Sequence, residues 1–242
     1  MLTGAAGGVA RLLRPALRDR FDLVLTDRVP TEDGSAVRGD LTDTAFADDV
    51  TAGVDAIVHL AANPDPGATW EQLYRPNVQA VANLLTGAAR NGVRRLVLAS
   101  SAHAMGQYVA AGRQPIDPAW SPAPCCPYGA TKAFVEAAAR MHSYRYGVHA
   151  VCLRLGATFE KPWNTSMLGA WLAPEDLQQL VLRSLAADVA FGIYHGISAN
   201  TRSVWDINNA RTELGYAPVR DSEVFSGSVP VDDDGGPCPP FH

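Results

Sequence analysis

The sequence predicts an α/β fold: a Rossmann-type doubly wound parallel sheet completed by a small C-terminal lobe. Three observations predict it. Strand-like and helix-like segments alternate along most of the 242 residues, as parallel strands joined by crossover helices require. The strand-like segments are short apolar runs without clean alternation, which suits strands buried on both faces. A glycine-rich turn, TGAAGGVA at 3–10, follows the first run and opens a helical pattern.

The first strand, 1–3, is short because only Met1 and Leu2 precede Thr3 and Gly4. Either the strand is truncated or the start of the chain lies upstream. The helix at 8–18 carries Arg11, Arg14 and Arg18 at helical spacing, with Arg20 just beyond, as a solvated face. Further strands are expected at 23–26, 37–40, 56–61, 96–100, 150–155 and 192–197. Helices are expected at 43–52, 70–91 and 128–146. Another at 174–187 starts with Pro174 in its first turn and Glu175 and Asp176 at its positive end. A short helix at 208–214 starts at Asn208 and stops before Gly215. Residues 1–231 read as one domain, with lobe elements near 157–175 and 198–231. Residues 232–242, DDDGGPCPPFH, read as a disordered or loosely docked tail.

Composition narrows the class. A net charge of −5 without a Lys/Arg cluster gives no footprint for nucleic acid. No apolar run reaches the roughly 18–20 residues that span a bilayer, and the N-terminus lacks the order of a signal peptide. A soluble cytoplasmic protein acting on a small molecule is expected. Cys125, Cys126, Cys152 and Cys238 contain no C-x-x-C pair, and adjacent cysteines make poor metal or disulfide partners. They read as reduced thiols, and no metal site is expected.

Two constellations carry chemistry. In the loop, Gly4, Ala6, Gly7, Gly8 and Val9 let the backbone approach a pyrophosphate at the start of a helix. Asp27 follows 20 residues after Gly7, at the end of the second strand. An acid there hydrogen-bonds the adenosine ribose and favours NAD, while the neighbouring Arg28 leaves NADP open. Asp40, with Leu41, is a candidate for the adenine edge, or simply the acid of a turn. The second constellation is YGATK at 128–132, which sets Tyr128 and Lys132 four apart on one helix face. A tyrosine of pKa near 10 is a poor base at neutral pH. An ammonium roughly 4 Å away would stabilise the phenolate by up to about 4 kcal/mol at an effective dielectric near 20. That predicts a lowered pKa and proton exchange with an alcohol or ketone. The strand at 96–100 runs out into Ser100 and Ser101, where ligands sit in such sheets. A serine there would orient the substrate oxygen.

These pieces together resemble the extended short-chain dehydrogenase/reductase family, also described as the NAD-dependent epimerase/dehydratase family. The resemblance extends through GDL at 39–41, HLAA at 59–62, PNVQAVANLL at 76–85, LASSAHAMG at 98–106 and LRLGA at 153–157. It implies a Rossmann-type fold, a nicotinamide cofactor and a catalytic set of Ser101, Tyr128 and Lys132. It also implies that Asn77 supports the lysine through water, and that Leu60, Ala61, Ala62, Ser100 and Leu155 line the cofactor. A homodimer through the helices at 70–91 and 128–146 is expected, packed by Ala80, Ala82, Ala88, Ala133, Ala137 and Ala138.

One branch is more similar still. SSAH at 100–103, RLGATFEKPWNTSMLGAW at 154–171 and YHGISANTRSVWD at 194–206 look like uronate dehydrogenases, which oxidise the anomeric carbon of a sugar acid with NAD. The chain departs from them at Ala102, Ala157 and Ser166, which replace asparagine, serine and the arginine that grips the carboxylate. Ala102, His103, Ala157, Trp163 and Ser166, with Ser101 and Tyr128, are therefore expected around an altered substrate. The leading expectation is interconversion of a secondary alcohol and a ketone on a polar cyclic substrate, as in a ketoreductase of specialised metabolism. The rivals are a uronate dehydrogenase with altered contacts, a sugar-nucleotide epimerase or dehydratase, and a non-catalytic NAD(P)-sensing protein.

Overall fold

A computed structural model describes residues 1–232. Seven strands form one all-parallel sheet: β1 (Leu2–Thr3), β2 (Leu25–Asp27), β3 (Val37–Arg38), β4 (Ala56–His59), β5 (Arg95–Ser101), β6 (His149–Leu155) and β9 (Phe191–Gly196). Their order is β3-β2-β1-β4-β5-β6-β9. The order reverses beside β1, and the crevice for a ligand opens at that switch point, beyond the carboxyl ends of the strands.

Helices cover both faces. α1 (Gly8–Arg18) and α7 (Pro174–Ala186) pack Leu13, Leu17, Leu177 and Leu180 on one face with Leu2, Val58 and Val97. On the other lie α2 (Thr44–Thr51), α4 (Ala80–Arg90) and α6 (Pro127–Tyr146), whose Leu84, Leu85, Val135 and Ala139 meet Ile57, Leu96 and Leu98. The alternation of β-strand side chains across the sheet feeds both cores. Short elements fill the lobe: α5 (Gly106–Ala110), a two-stranded parallel ladder of β7 (Ala157–Thr158) and β8 (Trp171–Leu172), and α8 (Asn208–Leu214). The basic face of α1 is tied to the β2–β3 connection by Arg18–Asp33 and Arg11–Glu32.

Three expectations need correction. The helix expected over 70–91 is α3 (Trp70–Leu73), a widened π turn at Tyr74–Gln79, then α4. Pro76 lies inside that turn; it has no N–H, and its ring crowds the preceding carbonyls, so the turn widens. Ala80 and Ala88 are buried in the core instead of facing a partner copy, because they share the face of Leu84. Asp232, expected in a disordered or loosely docked tail, is held: its N–H donates to Thr165 Oγ1. Residues 233–242 lie outside the described part. Among the described residues no helix is long and apolar enough to cross a membrane.

Candidate functional site

The loop after β1 is shaped for close backbone approach. Gly4 has φ +68°, and a Cβ there would sit 2.6 Å from Ala61 N. Gly7 caps α1 without any side-chain hydrogen bond. The first amides of α1 are therefore not closed off by a capping side chain, as an anion site at a helix N-terminus requires. A cavity of about 210 Å³ opens there, lined by Gly4, Gly7, Gly8, Val9, Asp27, Arg28, Asp40, Leu41, Leu60, Ala61 and Ala62. All were expected from sequence. Thr26, Gly39, Pro64, Pro76 and Ala80 also line it and were not. Gly39 had a legible signal, since it stands in GDL; a Cβ there would collide with the Phe46 ring.

Asp27 is held in place from both sides. Its Oδ2 accepts from Ala6 N–H at 3.0 Å and its Oδ1 from Val29 N–H at 3.1 Å. Each oxygen keeps lone-pair capacity for a ribose hydroxyl. The glycine cradle, the uncapped helix start and this carboxylate fit an adenine dinucleotide.

The second cluster lies at the carboxyl end of β5. α6 begins at Cys126, whose Sγ accepts from Gly129 N–H, with Pro127 in its first turn. Gly129 is required because a Cβ would collide with His103 O. This close approach brings Tyr128 beside Ser101, whose hydroxyl favours the Tyr128 phenolate. Ser101 Oγ also accepts from His103 N–H at 3.2 Å, and the rings of His103 and Tyr128 meet edge-on at 5.6 Å. Lys132 is buried one turn on, its Nζ 5.5 Å from the Tyr128 ring centre and donating to Ala99 O at 2.9 Å.

Burial controls the titration of these groups. It pushes the Tyr128 phenol up to about 12 and Lys132 down to about 8, and it keeps His103 below the ordinary histidine range. The expected lowering of the Tyr128 pKa is thus corrected for the unliganded chain: desolvation outweighs an ammonium that sits under the ring and serves a carbonyl.

Other expected residues are placed differently. The Ser100 hydroxyl does not face the cofactor crevice; it donates to Glu136 Oε1 at 2.6 Å on the α6 side of the sheet. The strand alternation that turns Ser101 one way turns Ser100 the other. Asn77, expected to support Lys132 through water, makes its direct bonds with Asn63 and Thr131. Its amide grips Asn63 N–H and O and donates to Thr131 Oγ1, so it ties the β4 loop to α6. Leu155 packs against the apolar core and pairs in register with Ser101. Ala157 opens β7, Ser166 lies in a short turn between β7 and β8, and Trp163 stacks on Phe159 at 4.1 Å while staying exposed. Ala102 and Ala170 pack against the same apolar cluster of Met105, Ile116, Ile197 and Trp205.

Cys126 and Cys152 are free thiols, whereas Cys125 is disulfide-bonded, against the expectation of reduced cysteines throughout. The side chains of His103, Cys125 and Cys126 converge within 4.8 Å, but a disulfide sulfur is not the thiolate that binds a metal.

Comparison with known proteins agrees with this geometry. The family model described as NAD dependent epimerase/dehydratase family matches residues 1–165. A uronate dehydrogenase of Pseudomonas putida is 35% identical, over 95% of this chain and 87% of that protein. An NAD-dependent glucose-6-phosphate dehydrogenase of Haloferax volcanii is 31% identical, over 93% of this chain and 95% of that protein. The crystal structure of uronate dehydrogenase from Agrobacterium tumefaciens superposes with a TM-score of 0.87 at 29% identity, covering 96% of this chain and 90% of that one.

Proposed function

This chain belongs to the NAD dependent epimerase/dehydratase family, and from that premise we propose that it is an NAD-dependent sugar dehydrogenase of the uronate dehydrogenase type, with altered substrate contacts. The observation that carries the proposal is the placement of the Tyr128 phenol beside Ser101, with Lys132 buried one turn on. Relatives named for sugar oxidation, matched over nearly the whole chain, support this reading above a ketoreductase of specialised metabolism.

Ser101 orients the hydroxyl at the anomeric carbon. Tyr128 takes the hydroxyl proton as the carbon–oxygen double bond of the lactone forms. NAD held by the Gly4–Gly8 turn and Asp27 would supply the acceptor for the hydride that leaves that carbon. Lys132, buried beneath the tyrosine, favours the phenolate that receives the proton. Asn77 fixes the spacing between the β4 loop and α6, and so positions Tyr128 and Lys132 without touching the reacting atoms. Asp27 selects NAD, since a phosphate on the ribose would meet its charge.

The full chain, incubated with NAD and a panel of aldoses and uronates, should produce NADH and a sugar lactone identified by NMR. NADP should support a rate about tenfold lower or less, because one charge-assisted contact decides between the cofactors. Absence of NAD(H) and NADP(H) binding by calorimetry would sink the proposal. The chain also acts as a homodimer on this reading. Met141 and Tyr144 of α6, with Trp70 and Tyr74 beside α4, leave large apolar side chains exposed for a second copy. Light scattering should give twice the chain mass; a monomer mass refutes the dimer.

A further inference from the structure

We infer that the site takes an uncharged sugar, an aldose with a hydroxyl-bearing or absent group where a uronate carries its carboxylate. The inference rests on the sugar-dehydrogenase reading above. It comes from a directed chain of hydrogen bonds on the loop between β7 and β8. Asn164 Nδ2 donates to Asp232 Oδ2 at 3.0 Å. A carboxylate only accepts, so this contact fixes which end of the amide faces which way. Asn164 Oδ1 is thereby turned to Ser166, whose Oγ donates its single proton to it at 3.0 Å. The Ser166 oxygen then has lone pairs alone to offer a ligand. A sugar hydroxyl can donate to such an oxygen. A carboxylate would bring acceptor against acceptor.

The loop borders the reacting groups. Leu155, where β6 ends, is paired in register with Ser101. Ala170, near the loop's return, shares an apolar cluster with Ala102, the residue after that serine. Ala102 and Ala157 contribute methyl groups. Burial lowers the pKa of His103 and so disfavours its charged form. Lys132 donates to Ala99 O from beneath Tyr128. Lys161 is the one cation of residues 157–172, and it is exposed beside Glu160. Residues 233–242 contain no lysine or arginine.

Initial rates with NAD decide the matter, measured on the full chain for D-glucose against D-glucuronate and D-galactose against D-galacturonate. The expected result is a kcat/KM at least about tenfold higher for the aldose of each pair, the size of one charge-assisted contact. A Ser166→Arg variant should raise kcat/KM for the uronates by about tenfold or more, with NAD affinity by calorimetry unchanged. Equal rates within a pair, or a faster uronate, overturn the inference and leave the sugar-dehydrogenase reading standing. A Ser166→Arg variant that gains nothing on uronates also overturns it, because the Ser166 chain then does not face the substrate. NAD binding without turnover of either sugar in either pair overturns the sugar-dehydrogenase reading and the inference with it.

Discussion

Tyr128→Phe is expected to lower kcat for sugar oxidation by about 10³-fold, within the range a positioned acid or base contributes. That corresponds to about 4 kcal/mol of transition-state stabilisation. NAD affinity by calorimetry should stay within about twofold, because the ring remains and only its hydroxyl is lost. The pH dependence follows from the direction of proton transfer. Oxidation needs the phenol deprotonated, and burial holds it up to about 12 in the unliganded chain. The rate of oxidation should therefore rise with pH, and the Phe variant should lose that rise. Lys132, pushed down to about 8, works in the opposite sense: as it loses its proton, the phenolate loses a stabilising charge. An oxidised nicotinamide held beside them would, by its positive charge, lower both values. A Phe variant that keeps more than about a tenth of kcat would move the proton transfer elsewhere. The nearest alternative is His103, whose ring meets that of Tyr128 at 5.6 Å.

The expected alternation of strands and helices matches the observed order because its signals are local. Apolar runs mark β5 and β6, Pro174 and two acids open α7, and Gly215 closes α8 with φ +69°. The dinucleotide cavity was legible for the same reason. Gly4 and Gly7 serve a turn whose shape they determine themselves, and Asp27 ends the adjacent strand. What sequence did not convey depends on packing between distant elements. The pKa of Tyr128 is a property of its burial under Ala68, Leu73 and the two cysteines, and no spacing rule contains that term. Ser100 and Ser101 look equivalent in the sequence, yet strand alternation sends one to Glu136 and the other to Tyr128. Asn77 sits where the family resemblance put it, on the helix after β4, but a π turn at Pro76 directs its amide to Asn63 and Thr131. The hydrogen-bond direction at Ser166 was equally invisible. It depends on Asp232, 66 residues further along the chain.

The same neighbourhood contains the polar contact whose loss should cost the most stability. Arg154 is fully buried and holds Glu136 through two parallel bonds, Nε to Oε1 at 2.7 Å and Nη2 to Oε2 at 2.8 Å. Its Nη1 donates to Pro118 O. Ser100 donates to the same carboxylate, so β5, β6, α6 and the loop before α6 meet at one point. Ser100, Arg154 and His195 also lie in register across three strands. Burial and the neighbouring guanidinium push His195 down to about 3, so it adds no second charge. Removing one member of such a pair strands the other in a medium that cannot solvate it, at a cost of about 3–5 kcal/mol. Arg154→Met should accordingly lower Tm by roughly 10 °C, at about 2–4 °C per kcal/mol for a domain of this size. Glu136→Leu combined with Arg154→Met should recover most of that loss, since an apolar pair of similar volume leaves no charge behind. The double variant removes the acceptor of Ser100 as well, the residue next to Ser101, so its recovery in Tm should exceed its recovery in kcat. Equal recovery of both in scanning calorimetry and initial rates would mean that the ion pair carries stability alone. Unequal recovery would mean that it also aligns the end of β5 against Tyr128.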